Sequence, residues 1–269
     1  MRTALIGYSG FVGSNIAAAS GFTDLYNTSN IGDLRGQSYD LVVSAASRAD
    51  SHRINQHGEQ DLAEIEKYVE LLSTVDAAQL VLISTVCIYP GGTSPDETTP
   101  LSAQDLTPYG ANRLHMEQVL AQRFRTLALR LPQLYGIGLK KGIVYDLLND
   151  YRTEHIRPEG RFQYYDLRRL WADMKIALEA GLTTLNVATP ALTSERVAAE
   201  CFGLDLRGQV VPGAESPFAQ MYTRDMRTVH AGLFGGPPGY LMDEATELAR
   251  LQDFVREARS VRAGSGPSG

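Results

Sequence analysis

Two groupings in this chain have residue types and spacing suited to chemistry. The first is Gly7-Tyr8-Ser9-Gly10-Phe11-Val12-Gly13. Glycines spaced G-x-x-G-x-x-G let the backbone turn tightly and approach a pyrophosphate, and they let the next helix pack closely on the preceding strand. That helix then directs its opening N–H groups at an anion. The second grouping is Tyr109 with Arg113 four positions on. A phenol titrates at about pH 10, so it needs a neighbouring cation to give or take a proton at neutral pH. A basic residue four positions later lies on the same helical face and supplies that field.

The elements that must hold these groups alternate in the manner of a parallel α/β sheet. The glycine turn separates a short buried strand, Thr3 to Ile6, from a small-residue helix, Phe11 to Ala19. Further strands are expected at Asp24 to Tyr26, Leu41 to Ala46, Leu80 to Ser84 and Leu127 to Leu131. Leu62, Ile65, Val69 and Leu72 recur at helical spacing, which predicts a helix from about Gln60 to Val75. Another helix is expected from Tyr109 to Gln122, after a long Gly/Pro/Thr-rich loop between Pro90 and Pro108. Beyond Gly136 the pattern is less regular. It suggests helices near Gly142 to Tyr151 and Leu170 to Ala180, and a strand at Thr184 to Ala188. A helix capped by Thr193 or Ser194 runs to Phe202, and a closing helix runs from Asp243 to Arg259. The fold class expected is α/β: a Rossmann-type, doubly wound parallel sheet with a smaller C-terminal substrate lobe. Residues 1–137 would form the core and 138–262 mainly the lobe, with about 168–190 returning to the core. Residues 263–269, all Ala, Gly, Ser or Pro, read as a disordered tail.

Composition narrows the function classes. The chain has 269 residues and a net charge of −6, which argues against a general nucleic-acid binder, since phosphate neutralisation needs clustered Lys and Arg. No stretch approaches the roughly 20 apolar residues of a membrane helix, and the N-terminus does not read as a signal peptide. Two well-separated cysteines, Cys87 and Cys201, fit a reducing compartment, so a cytoplasmic location is expected. His52, His57, His115, His155 and His230 show no metal-type spacing, and no metal site is expected.

Four segments taken in order resemble the extended short-chain dehydrogenase/reductase family, which includes sugar-nucleotide epimerases, dehydratases and reductases. They are the glycine turn, Ser84-Thr85-Val86-Cys87-Ile88-Tyr89, Pro108-Tyr109-Gly110-Ala111-Asn112-Arg113, and Leu129-Arg130-Leu131-Pro132-Gln133-Leu134-Tyr135-Gly136. They cover about the first half of the chain. The resemblance implies that Tyr109 is the catalytic acid/base and that Thr85 is the hydroxyl orienting the substrate oxygen during hydride transfer. Arg113 stands where the family has lysine. It keeps the charge and a ribose-binding capacity, but its planar fork is not equivalent to an ammonium.

The resemblance further implies a nicotinamide dinucleotide held by Gly7, Ser9, Gly10, Phe11, Val12, Gly13, Asn27, Ser29, Ala45, Ala46, Tyr109 and Arg113. No carboxylate follows the Asp24–Tyr26 strand, and Arg35 lies nearby, which tilts the expectation to NADP over NAD. Too few residues separate Tyr26 from Asp40 for a full crossover and another strand, so the adenosine side looks trimmed. Lys140, Lys141, Arg161, Tyr164 and Tyr165, with Arg168, Arg169, Arg224 and Arg227 beyond, are the candidates for gripping and stacking a nucleoside diphosphate. The function expected is an NAD(P)-dependent oxidoreductase or epimerase/dehydratase acting on a nucleotide-linked sugar, with ketosugar reduction foremost, in a chain able to form a homodimer as relatives do. The alternatives are a non-catalytic NAD(P)-binding sensor or scaffold of the same fold, and a reductase of a non-sugar ketone.

Overall fold

The computed structural model describes residues 1–211 and 225–264, with side chains described to residue 262. In chain order its strands are β1 (Thr3–Ile6), β2 (Asp24–Tyr26), β3 (Ser38–Tyr39), β4 (Leu41–Ser44), β5 (Asp76–Ala77), β6 (Leu80–Thr85), β7 (Thr126–Leu131), β8 (Gln133–Tyr135), β9 (Arg161–Asp166), β10 (Thr184–Asn186) and β11 (Ala191–Thr193). The α-helices are α1 (Phe11–Ala19), α2 (Ser51–Gln56), α3 (Gly58–Leu72), α4 (Pro108–Arg123), α5 (Ile143–Asn149), α6 (Leu170–Glu179), α7 (Ser194–Val197) and α8 (Glu244–Gly264).

The described chain divides into two compact units. The first comprises Met1–Pro90, Glu97–Leu131 and Leu167–Val187. Its sheet has six strands in the order β10-β7-β6-β4-β1-β2, every pair parallel. The expected Rossmann-type architecture is therefore present. Strands β1, β4 and β7 are buried along their whole length, as in a parallel sheet covered on both faces, and they are mainly apolar. From β1 the chain passes outward to β2, then returns to β4 and continues the other way through β6, β7 and β10. The direction of winding reverses between β1 and β4, and ligands of open α/β sheets bind at the carboxyl ends of strands at such a reversal. No strand lies outside β2 in this sheet, as the short 26–40 connection implied. A 3₁₀ turn at Ile31–Leu34 and the two-residue strand β3, paired with β5, fill that connection.

The second unit comprises Gly91–Asp96, Pro132–Asp166 and Ala188–Gly269. Its three-stranded sheet pairs β9 antiparallel with β11 and parallel with β8. Tyr135, Tyr164, Leu192, Phe202, Leu251 and Phe254 belong to the buried core beside that sheet. Thr193 caps α7 by accepting the Arg196 amide, as expected, and the helix widens into a π turn at Ala198–Phe202. The closing helix runs five residues further than its sequence pattern suggested, to Gly264. Residues 265–269 and Arg224 lie outside the described residues.

Candidate active site

Gly7 follows β1 with φ +84°, and a Cβ on it would stand 2.5 Å from the Ala45 carbonyl oxygen at the end of β4. A Cβ on Gly13 would stand 2.0 Å from the Gly7 carbonyl oxygen, so only glycine lets α1 lie this close to the turn. The Gly7 amide donates to Tyr26 O at 2.7 Å, and the Gly10 amide to Gly7 O at 2.9 Å. Gly10 precedes α1 without a side-chain cap, and the helix has no acidic residue in its first turn. No carboxylate of its first turn therefore competes with an anion for its opening amides. Gly7 and Gly13 thus hold the turn against the end of β4 and α1 against the turn, a geometry that would let a dinucleotide pyrophosphate approach the first amides of α1. Ser9 and Gly10 are exposed at the rim of this cradle, and Ala45 and Ala46 lie across it at the end of β4.

Asn27 and Ser29 sit just beyond β2. Asn27 Oδ1 accepts the Ser29 amide at 2.9 Å and its hydroxyl at 2.7 Å, while the Asn27 amide donates to Asn30 Oδ1 at 2.8 Å. The loop is neutral. The one carboxylate of β2, Asp24, opens the strand at its other end, where Arg2 donates to it at 2.8 Å and Tyr39 Oη at 3.0 Å. Arg35 is exposed just after the 3₁₀ turn.

Proline opens α4, where its missing N–H costs no hydrogen bond. A Cβ on Gly110 would stand 2.1 Å from the Cys87 carbonyl oxygen, so glycine there lets α4 abut the turn after β6. This contact delivers Tyr109 to Thr85. The two side chains are hydrogen-bonded, and Thr85 Oγ1 also accepts the Cys87 amide at 3.2 Å. The Tyr109 amide donates to Asn55 Oδ1 at 3.0 Å. The ring is 8% exposed, and the Arg113 guanidinium carbon lies 4.8 Å from its centroid. Burial, followed by the field of Cys87, raises the phenol above its ordinary pKa, while Arg113 and Thr85 pull the other way. The structure therefore brings Thr85, Tyr109 and Arg113 together with the phenol protonated at neutral pH.

Arg113 is itself committed. It is 3% exposed and forms a two-pronged ion pair with Asp61 of α3, at 2.8 and 3.1 Å, and Nη2 also donates to Arg48 O at 2.6 Å. Asn112 adds a hydrogen bond to the same carboxylate at 2.9 Å. Asp61 is absent from the residues singled out in the sequence. Its signal was available: positions 61, 65, 69 and 72 follow helical spacing, so a carboxylate occupies the apolar stripe of α3.

One turn further along α4, Glu117 pairs with Arg130 of β7 at 2.8 Å and accepts a hydrogen bond from Ser84. Arg130 Nη1 donates to Tyr89 Oη at 2.6 Å, and Tyr89 donates to Asn186 Oδ1 at 3.1 Å. Glu97 accepts the Asn186 amide at 2.8 Å. His115 is paired at the surface with Glu66.

The expected substrate residues divide. Lys140, Lys141 and Arg161 are exposed in the second unit. Tyr164 and Tyr165 are 1% and 0% exposed, so their rings pack inside that unit instead of offering faces to a base. Their strand is flanked by β8 and β11, which the Arg and Tyr types concealed. Arg169 pairs with Asp173 at 3.1 Å, and Arg227 with Asp225 at 2.5 Å. Among the described residues no group of three metal-ligating side chains occurs, and no helix is long and apolar enough to cross a membrane.

Residues 21–154 match the model of the NAD dependent epimerase/dehydratase family. The matched stretch contains Thr85, Tyr109 and Arg113 and begins after the glycine turn. No curated protein matches the chain in sequence. Among solved structures, it is similar to MoeE5 in complex with UDP-glucose and NAD, at 15% identity and TM-score 0.67, over 97% of this chain and 100% of that one. A UDP-galactose 4-epimerase aligns at 18% identity and TM-score 0.68, over 96% and 99% of the two chains. The dTDP-4-dehydrorhamnose reductase of Yersinia enterocolitica aligns at 14% identity and TM-score 0.70, over 95% and 100%. The resemblance drawn from the four sequence segments agrees with both comparisons.

Proposed function

We propose that this chain is an NAD(P)-dependent oxidoreductase of the short-chain dehydrogenase/reductase type acting on a nucleotide-linked sugar, with reduction of a ketosugar as its reaction. The observation that carries this reading is the Thr85–Tyr109 hydrogen bond, formed in the unit whose β1–β4 reversal also holds the glycine cradle. The structural relatives named for UDP-glucose and NAD, UDP-galactose and dTDP-4-dehydrorhamnose support a nucleoside-diphosphate sugar as substrate.

In this reading the amides opening α1 hold the pyrophosphate, and the neutral Asn27–Ser29 loop meets the adenosine ribose. The absence of a carboxylate in that loop supports use of NADP, with NAD also accepted. A bound nicotinamide supplies the hydride. Thr85 orients the carbonyl oxygen of the substrate, and Tyr109 gives that oxygen its proton as the alcohol forms. Lys140, Lys141 and Arg161 are the side chains for the diphosphate. The chain acts in the cytoplasm, where Cys87 and Cys201 stay free thiols. The exposed Glu66, Lys67 and Glu70 of α3 and Gln118 of α4 make a polar face. A homodimer formed through those two helices would be correspondingly wet.

The test is NAD(P)H oxidation against a panel of 4-keto nucleotide sugars, with the native chain and Tyr109→Phe compared. Turnover by the native chain and its loss in Tyr109→Phe, with dinucleotide affinity kept, is the expected result. Equal turnover by both would remove Tyr109 from the chemistry.

A further inference from the structure

An arginine near a phenol normally holds the tyrosinate in reach at neutral pH, because its positive field favours the anion. Here that field is shared with a buried carboxylate. Both terminal nitrogens of Arg113 are engaged, by the two oxygens of Asp61 and by Arg48 O, in a setting where Arg113 and Asp61 are 3% and 6% exposed. Asp61 is fixed in turn by Asn112, which also donates to Gly58 O at 2.8 Å. Arg113 also hydrogen-bonds the Tyr109 phenol, and its Nε is buried. At the distances seen, the pair presents a dipole and not a net charge to the ring 4.8 Å away.

We propose that Asp61 is a positioning residue for Tyr109: it locks the Arg113 guanidinium over the phenol ring and offsets its charge, so that Tyr109 stands as a proton donor through the neutral range. The proposal rests on the reading of Tyr109 as the acid/base. It deepens that reading by giving the chain a direction, since a tyrosine kept protonated serves carbonyl reduction and has to be deprotonated before it serves alcohol oxidation. The titratable and charged groups acting on the phenol are the Cys87 thiol, in the turn after β6, and Arg113 on the same helix. Thr85 of β6 and Asn55 of α2 contribute neutral partners, and α3 contributes Asp61 through Arg113. Cys87 and burial both oppose the tyrosinate, and Asp61 offsets the charge of Arg113, the one cation that pulls toward it.

The experiment is a tyrosinate absorbance titration of the native chain without ligands. Asp61→Asn is titrated beside it, and the Tyr109 component is assigned by subtracting Tyr109→Phe in each background. With Asp61 neutralised, Arg113 faces the ring uncompensated, and the Tyr109 component is expected to titrate at least one pH unit lower than in the native chain. A folded Asp61→Asn with an unmoved Tyr109 component would overturn the proposal. If Asp61→Asn does not fold, the double variant Asp61→Asn/Arg113→Gln decides, because it replaces the ion pair by two amides. An unmoved Tyr109 component in the double variant supports cancellation, whereas a rise of a unit or more means that Arg113 acts with its full charge and sinks the idea. No cofactor or substrate enters the measurement. A chain that binds no dinucleotide would therefore defeat the functional reading without touching this result.

Discussion

Gly13→Ala tests the glycine cradle on both its structural and its binding side. The added Cβ would lie 2.0 Å from the Gly7 carbonyl oxygen, 2.6 Å from its carbon and 3.0 Å from Tyr8 Cα. Carbon–oxygen contacts ordinarily close at about 3.3 Å, so the overlap exceeds about 1 Å, and it is with backbone that no rotamer can move aside. Relief requires α1 to slide away from the turn. Overpacking of this kind costs about 1–3 kcal/mol, and for a chain of this size about 2 kcal/mol lowers the melting temperature by roughly 4–8 °C. The same slide displaces the opening amides of α1 from the pyrophosphate, and a loss of about 1.4 kcal/mol there is tenfold in affinity. Gly32→Ala is the control, since a Cβ at that position meets nothing within 4 Å. The assay pairs thermal unfolding with calorimetric titration of NADPH and NADH. Gly13→Ala should melt several degrees below Gly32→Ala and bind at least about tenfold more weakly. If the two variants melt together and bind alike, the close approach of α1 to the turn is not what holds the cofactor.

Glu117→Ala would leave Arg130 charged and unpaired where both side chains are 7% exposed, and should cost about 3–5 kcal/mol in denaturant unfolding. A loss under about 1 kcal/mol would place the pair in water. Burial, then Glu200 and Glu247, pushes the Cys201 thiol up to about 12, so it carries almost no thiolate at mildly alkaline pH. Iodoacetamide on the folded chain should label Cys87, which is half-buried, and spare Cys201, as read by peptide mass spectrometry. Because the Tyr109 phenol is raised, its protonated form persists above the usual range of about 10. Reductive turnover should therefore hold from neutral pH to about 9, and an alkaline limb near pH 7 would show that the phenol ionises early.

The first unit was largely legible in the sequence because its signals are local. Strand β1, the glycine turn and α1 occur where a short apolar run meets spaced glycines, and their boundaries agree with Thr3–Ile6 and Phe11–Ala19. The Thr85–Tyr109 approach was legible only through the family pattern, since it depends on the missing side chain of Gly110 against Cys87. What stayed hidden is long-range. Strands β3 and β5 have two residues each, too short for any periodicity, and pair across the whole of α2 and α3. Strand β9 reads Arg-Phe-Gln-Tyr-Tyr-Asp, types that suggest a binding surface, yet its last four residues are buried by neighbours that the sequence does not place beside it. Asp61 and Glu117 were passed over because charged residues on helices are usually solvated, and their partners Arg113 and Arg130 lie on other elements.

The most direct measurement is a calorimetric titration of the native chain with NADPH and NADH, followed by UDP and dTDP on the dinucleotide complex. A nicotinamide dinucleotide should bind, and at least one nucleoside diphosphate should bind beside it. Binding of neither dinucleotide would contradict the reading of the glycine cradle and, with it, the oxidoreductase.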